Sequence, residues 1–191
     1  MRLSAVRVSI FAVGLLAGIA VGYLGMPHLV QAMSAGHQPY AGQDQRRISS
    51  LSPADIKALE AGEGWGLAKP AELNGYPGPL HVLELADELD LTDDQRKAVE
   101  DSFQRMKSAA IVLGKKLVDA ERSLDEAFKS GDMNVSTLET LLALSSQARA
   151  KLRDVHLTAH LETTPVLNEA QAKRYQTLRG YGDGHTGHAG H

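Results

Sequence analysis

Between Val99 and Phe128 the apolar residues fall at steps of three and four: Val99, Phe103, Met106, Ala110, Leu113, Leu117, Ala120, Leu124 and Phe128. An α-helix brings such positions onto one stripe, and a stripe this long needs a partner of similar length. Thr92 and Gln95 have capping-box spacing before it, and Gly131 follows in "KSGDMN". The helix should therefore run roughly 35 residues, about 50 Å at 1.5 Å per residue. The partner is read in the next segment. Ser136 with Glu139 offers a second capping box, and Leu138, Leu141, Leu142, Ala148, Leu152, Val155 and Ala159 form its seam. Thr164-Pro165 stops it, because proline disfavours the helical conformation in its predecessor. The expected fold is all-α, a long antiparallel hairpin.

Short helices are expected to flank that hairpin. In "SPADIKALEAG", Ser52 is a natural N-cap, Pro53 suits the first helical position and Asp55 the first turn. "LHVLELADELD" is apolar at Leu80, Leu83, Leu85 and Leu89, and Asn168 to Gly180 makes a last short helix. The stretch "GEGWGLAKPAELNGYPGP" between them is irregular. Its Gly62, Gly64 and Gly66 lack the preceding strand and the spacing of a phosphate loop, and Asn74-Gly75 and Tyr76-Pro77-Gly78-Pro79 are turn chemistry. Trp65 and Tyr76 are expected to pin this loop onto the helices. Two long helices cannot bury their seams alone, so the short helices and a second copy of the chain, a homodimer, are expected to complete the core.

Before the fold comes an address. "MRLSAVRVSIFAVGLLAGIAVGYLG" carries Arg2 and Arg7 and then an uncharged apolar run of roughly 18 residues. It suits either a signal peptide, cleaved after Ala32 or Ala35, or an anchor in the inner membrane over residues 8–25. Residues 1–35 form this segment, 36–50 a polar tether, 51–180 the helical domain and 181–191 a tail rich in histidine and glycine. Residues 1–35 hold two arginines and no acidic residue. The 20 basic residues of the chain thus fall to 18 against 23 acidic in the exported part, a net charge of −5. That balance gives no electrostatic reason to expect nucleic acid.

The chemistry available is narrow. With no cysteine there is no thiolate site, and no Ser-His-Asp set, HExxH or phosphate-binding loop is evident, so no enzyme is expected. Glu121, Asp125 and Glu126, opposite Lys115 and Lys116, are expected to form a solvated face. Histidine is the informative residue. His156 and His160 lie one helical turn apart, so both imidazoles can reach one ion. Glu162, or His81 and Glu84, offers a further ligand. His185, His188 and His191 recur at steps of three in the tail, where imidazoles suit copper, nickel or zinc. The bland alternative is that His156 and His160 are solvated flank residues, His81 a surface group and the tail a solubilising end. Met106, on the seam, is expected to fill the core rather than bind copper(I).

"LTDDQ" (Leu91 to Gln95) and "LNEAQ" (Leu167 to Gln171) precede the first long helix and the last helix. The pair resembles the twin LTxxQ signature of the Spy/CpxP family, with its zinc-resistance-associated and periplasmic nickel–cobalt sensor relatives. The resemblance covers about residues 50–180, with Asn168 in place of the second threonine. It implies a periplasmic helical hairpin that either binds transition metals for sensing or resistance, or acts as an ATP-independent chaperone. Some members report to a membrane signalling partner. The nickel–cobalt sensors use His-x-x-x-His pairs, a spacing His156 and His160 share, and the family's cradle chaperones tend to be basic where this exported part is acidic. The expectation is therefore a periplasmic heavy-metal-binding stress protein. The alternatives are a holdase for unfolded client proteins and a module that docks a membrane signalling partner.

Overall fold

Six α-helices and one 3-10 turn account for most of residues 39–181, the residues that the structure, a computed structural model, describes. The helices are α1 (Pro53–Glu60), α2 (Lys69–Glu72), α3 (Pro79–Glu84), α4 (Asp93–Ser130), α5 (Val135–Thr163) and α6 (Glu169–Leu178), with the 3-10 turn over Thr164–Val166. Among the described residues there is no strand beyond one isolated bridge, Ile48 to Leu51, so the fold is all-α as expected. None of the described helices is long and apolar enough to cross a membrane. The span expected over residues 8–25 lies outside the described residues, as do the rest of 1–35 and most of the tail. Residues 39–45 form turns of their own, with the Gln43 N–H donating to Tyr40 O.

The long pair is antiparallel, and its polar cross-links give the register. Ser145 Oγ donates to Glu121, and Ser102 Oγ donates to Glu162 at 3.0 Å; as one position climbs the other descends by almost as much. Helix α4 is 38 residues, slightly longer than the expected 35. It starts on the Thr92–Gln95 capping box and ends on Gly131, whose φ of 79° is the left-handed C-cap conformation open to glycine without penalty. Helix α5 departs from expectation at its start. Asn134, not Ser136, is the N-cap, accepting from the Thr137 N–H at 3.0 Å. The tight turn after Gly131 leaves Asn134 extended at the helix entrance and carries Ser136 inside.

Burial along the seam is uneven. Val99, Ala110, Leu117, Leu152 and Ala159 are buried, each larger side chain worth roughly 1.5–3 kcal/mol. Toward the hairpin tip the stripe emerges, with Phe128 59% exposed and Leu142 45%, and Val135 and Leu144, which lie off the stripe, are exposed as well. No short helix reaches that end. The middle is covered by α1, which crosses α4 at Gly114, where Leu59 packs with Leu117, Val118 and Leu152. The segment before α1 also joins this core. Ile48 is fully buried and Leu51 nearly so, the Ser49 N–H donates to Asp125 at 3.2 Å, and Ser50 Oγ donates to Glu121 at 2.7 Å. The tether expected over 36–50 therefore ends before Arg46. Glu121 and Asp125 are anchors for that segment rather than a purely solvated face.

At the other end the two "LxxxQ" motifs meet. Thr92 caps α4 and Asn168 caps α6, each in a capping box closed by its own glutamine. The two glutamines then bond each other reciprocally: Gln95 Nε2 donates to Gln171 Oε1 at 2.8 Å and Gln171 Nε2 donates to Gln95 Oε1 at 2.9 Å. The remaining protons reach Val166 O and Leu89 O. Losing either amide leaves the other with unmet bonding capacity, so Gln95→Ala is expected to cost about 1–3 kcal/mol. Urea denaturation of Gln95→Ala, Gln171→Ala and the double variant should show a coupling of roughly 1 kcal/mol or more. Additive losses would mean the two motifs are independent caps.

Candidate metal centre

The upper part of α5 carries His156 and His160, both buried, on the wall of a cavity of about 650 Å³. Helices α2 and α3 close the cavity beside α5, because Pro70 and Pro79 start short helices and Gly78 lets the chain between them lie flat on His160. A Cβ on Gly78 would stand 2.9 Å from His160 Nε2 and 2.8 Å from its Cε1. Its φ of −82° needs no glycine, so the requirement is space alone.

The two imidazoles differ in what holds them. His160 Nδ1 lies 2.7 Å from Tyr76 O. A carbonyl only accepts, so Nδ1 carries a proton, and in the uncharged tautomer that this bond selects the lone pair lies at Nε2. Metal-bound histidines are oriented in this way, by a carbonyl behind the ring. His156 is 3% exposed, and its Nε2 is buried without a hydrogen-bond partner. Burial, then the positive charges of His160 and Lys107, lower its proton affinity below that of an ordinary histidine. It is therefore held neutral, the form a metal requires. A buried ring nitrogen without a hydrogen-bond partner is uncommon in native structures.

Behind His160 sits Glu72, a buried carboxylate at the end of α2. Tyr175 Oη donates to its Oε1 at 2.6 Å, His81 Nδ1 lies 3.2 Å from the same oxygen, and the Gly78 N–H donates to Oε2 at 3.2 Å. Arg179 Nε adds a charge contact at 3.3 Å without the alignment of a hydrogen bond. His160 Nδ1 stands 3.7 Å from Oε2. Burial alone would raise the carboxyl pKa. The hydrogen bonds from His81 and Tyr175 and the nearby positive charge outweigh it and hold the group at about 2. Burial and Glu72 together raise the Tyr175 phenol, which stays protonated as a donor.

Trp65 forms the apolar wall of the same cavity. Its φ of 45° is left-handed, at a cost of about 1–2 kcal/mol. The offset comes from its Nε1–H donating to Asp55 at 2.8 Å, from Arg149 stacked 4.8 Å from the ring centroid, and from packing on the core. Trp65 thus pins the loop as expected. Tyr76 does not: its ring is exposed, and its carbonyl is the part that works.

The residues named from sequence divide accordingly. His156, His160 and His81 line one cavity, with Met106 half-buried among them rather than sealed in the seam. His81 is fully engaged, Nδ1 toward Glu72 and Nε2 3.3 Å from an Arg179 donor. Glu162 faces away across α5, bonded to Ser102 at 3.0 Å and to Arg105 at 2.9 Å, and those two partners lower its pKa. Glu84 is exposed and does not reach the cavity. His185, His188 and His191 lie outside the described residues. Among the described residues no group of three or more histidine, aspartate or glutamate side chains is gathered as a complete ligand set. Glu72, Tyr175, Arg179 and the Tyr76 carbonyl had no sequence signal, since no periodicity runs through the loop that holds Glu72. Compared with protein-family models, curated proteins and solved structures, the chain returns no match.

Proposed function

We propose that this chain is an exported, periplasmic metal-binding stress protein of the Spy/CpxP type. It senses or buffers a divalent transition metal, zinc, copper, nickel or cobalt, through His156 and His160. The observation that carries the reading is the orphaned, buried Nε2 of His156, one helical turn from a His160 whose free nitrogen is set by the Tyr76 carbonyl. His156 and His160 would hold the ion, and what it would supply there is Lewis acidity. The chain's own residues convert that into a signal. His160 is tied to Tyr76 O and stands beside Glu72, and Glu72 holds α3 through His81 and α6 through Tyr175. Ligation favours the arrangement in which these elements are docked, a population shift. A membrane signalling partner or a second copy of the chain is the reader of that shift.

Titration of the full chain with zinc, nickel and copper(II) tests the reading. A dissociation constant at or below micromolar, about −8 kcal/mol, is expected for at least one ion. His156→Ala/His160→Ala should weaken it at least tenfold. Gly78→Ala, which keeps both imidazoles but crowds His160 Nε2, should also weaken it. Undiminished binding by the double variant would sink the proposal.

A holdase for unfolded clients is the second reading, favoured by the exposed Phe128, Val135 and Leu144 near the hairpin tip. In that case Phe128→Ser/Leu144→Ser abolishes suppression of client aggregation while the histidine variants do not.

A further inference from the structure

Away from the two histidines the cavity has walls of a different kind. Phe103, Met106 and Lys107 lie about one turn apart on a single face of α4, and all three are half-buried on the cavity wall. Trp65 adds the apolar wall on the loop side. That loop closes onto α4 just beyond Lys107, where a Cβ on Gly62 would stand 2.9 Å from Ile111 Cγ1 and 3.1 Å from the Lys107 carbonyl oxygen. The enclosed volume, about 650 Å³, falls in the roughly 300–1,000 Å³ range of small-molecule sites. A metal ion at His156 and His160 fills only a small part of it, since even a water takes only about 30 Å³.

Charge marks what the rest of the space suits. Lys69, Lys107, Arg179, Glu63 and Glu72 are the charged side chains on the lining. Arg179 and Glu72 are spent on each other, and Glu72 also on His81 and Tyr175. Among the described residues neither Lys69 nor Lys107 has a carboxylate within ion-pair distance. The Lys69 stem lies along Gly66, where an added Cβ would stand 3.6 Å from Lys69 Cε. The charge of Lys107 is felt inside the cavity, where it helps to depress the proton affinity of His156. Glu63, exposed to solvent, offsets one of the two lysines, so one positive charge is left over beside the aromatic wall. An anion there is screened less by water than on an open surface, and a single negative charge completes the balance. The left-handed backbone of Trp65 is strain of the kind that persists at ligand clamps.

We infer that this cavity binds a small organic monocarboxylate with an apolar body. The body packs against Trp65, Phe103 and Met106, and the carboxylate is held between Lys69 and Lys107. This goes beyond the metal-binding reading and stands apart from it, since neither histidine is asked for a bond.

Trp65 is the only tryptophan of the chain, so its fluorescence reports the cavity directly. The full chain, with a chelator present to exclude metal, is titrated with 3-phenylpropanoate, with octanoate and with the two corresponding amides, which keep the body and lack the charge. Calorimetry runs beside the fluorescence. At least one acid is expected to give a saturable change in Trp65 emission, with a dissociation constant of about a millimolar or tighter. Its amide should bind roughly tenfold more weakly or worse. Lys69→Met/Lys107→Met should erase that preference with amide binding unchanged, which shows the cavity intact, and Lys69→Arg/Lys107→Arg should keep it. Equal binding of acid and amide by the parent overturns the inference, as does a preference that survives in Lys69→Met/Lys107→Met. An absence of any saturable response to either acid also overturns it. The metal reading would survive each of these failures, because its own titration contains no carboxylate.

Discussion

Gly114→Ala is expected to destabilise the protein by about 3 kcal/mol, lowering its melting temperature by roughly 10 °C. Helix propensity argues the other way, since alanine in a helix interior is favoured over glycine by about 1 kcal/mol. Packing decides the sign. A Cβ at position 114 would lie 2.0 Å from the Leu59 carbonyl oxygen and 2.7 Å from its carbon, where ordinary contact begins near 3.4 Å. Those are backbone atoms and cannot rotate aside. Helix α1 must withdraw by more than an ångström, opening the cluster of Leu59, Leu117, Val118 and Leu152. A neutral or stabilising Gly114→Ala in thermal denaturation would mean that α1 does not cross α4 there.

The second large effect belongs to Glu72. Replacing it with glutamine at neutral pH is expected to cost about 2–4 kcal/mol. The lower part of the range for breaking a buried pair applies because Arg179 is partly exposed. The pH dependence follows from the same carboxylate. Its folded pKa of about 2 lies below the ordinary 4.5, so its contribution is complete above pH 4.5 and is lost as pH falls toward 2. That difference corresponds to roughly 3 kcal/mol. His156 acts earlier. Its pKa is depressed from 6.5, so the unfolded chain binds the proton more readily and stability begins to fall as pH drops below 6.5. Urea midpoints at pH 7, 5 and 3 separate the two. Glu72→Gln should flatten the decline below pH 4.5 and leave the earlier one. An unchanged acid limb in Glu72→Gln would show that this carboxylate is not what acid titrates.

The distribution of apolar residues also bears on partners. The same hairpin is well covered near the glutamine pair and bare at its tip, where Phe128, Val135 and Leu144 face out. A homodimer expected from the need to complete the core would find its apolar surface there, and sedimentation of Phe128→Ser/Leu144→Ser as monomer would locate it.

Local order in this chain was legible because its causes are local. The three-and-four spacing from Val99 onward, the capping residues Ser52, Thr92 and Asn168, and the stops at Gly131 and Pro165 each act within a turn or two of helix, and the structure returns each of them. The pairing of His156 with His160 was legible for the same reason, since residues one turn apart share a face whatever surrounds them. The surroundings were not. That Glu162 faces away, that the Tyr76 carbonyl rather than its ring meets α5, that Gln95 and Gln171 bond each other, and that Glu72 gathers Tyr175, His81 and Arg179 all depend on segments far apart in the chain. No periodicity encodes such meetings. They arise when α1, α2, α3 and α6 are pressed onto the long pair, where a buried polar group must find whichever partner the packing brings to it.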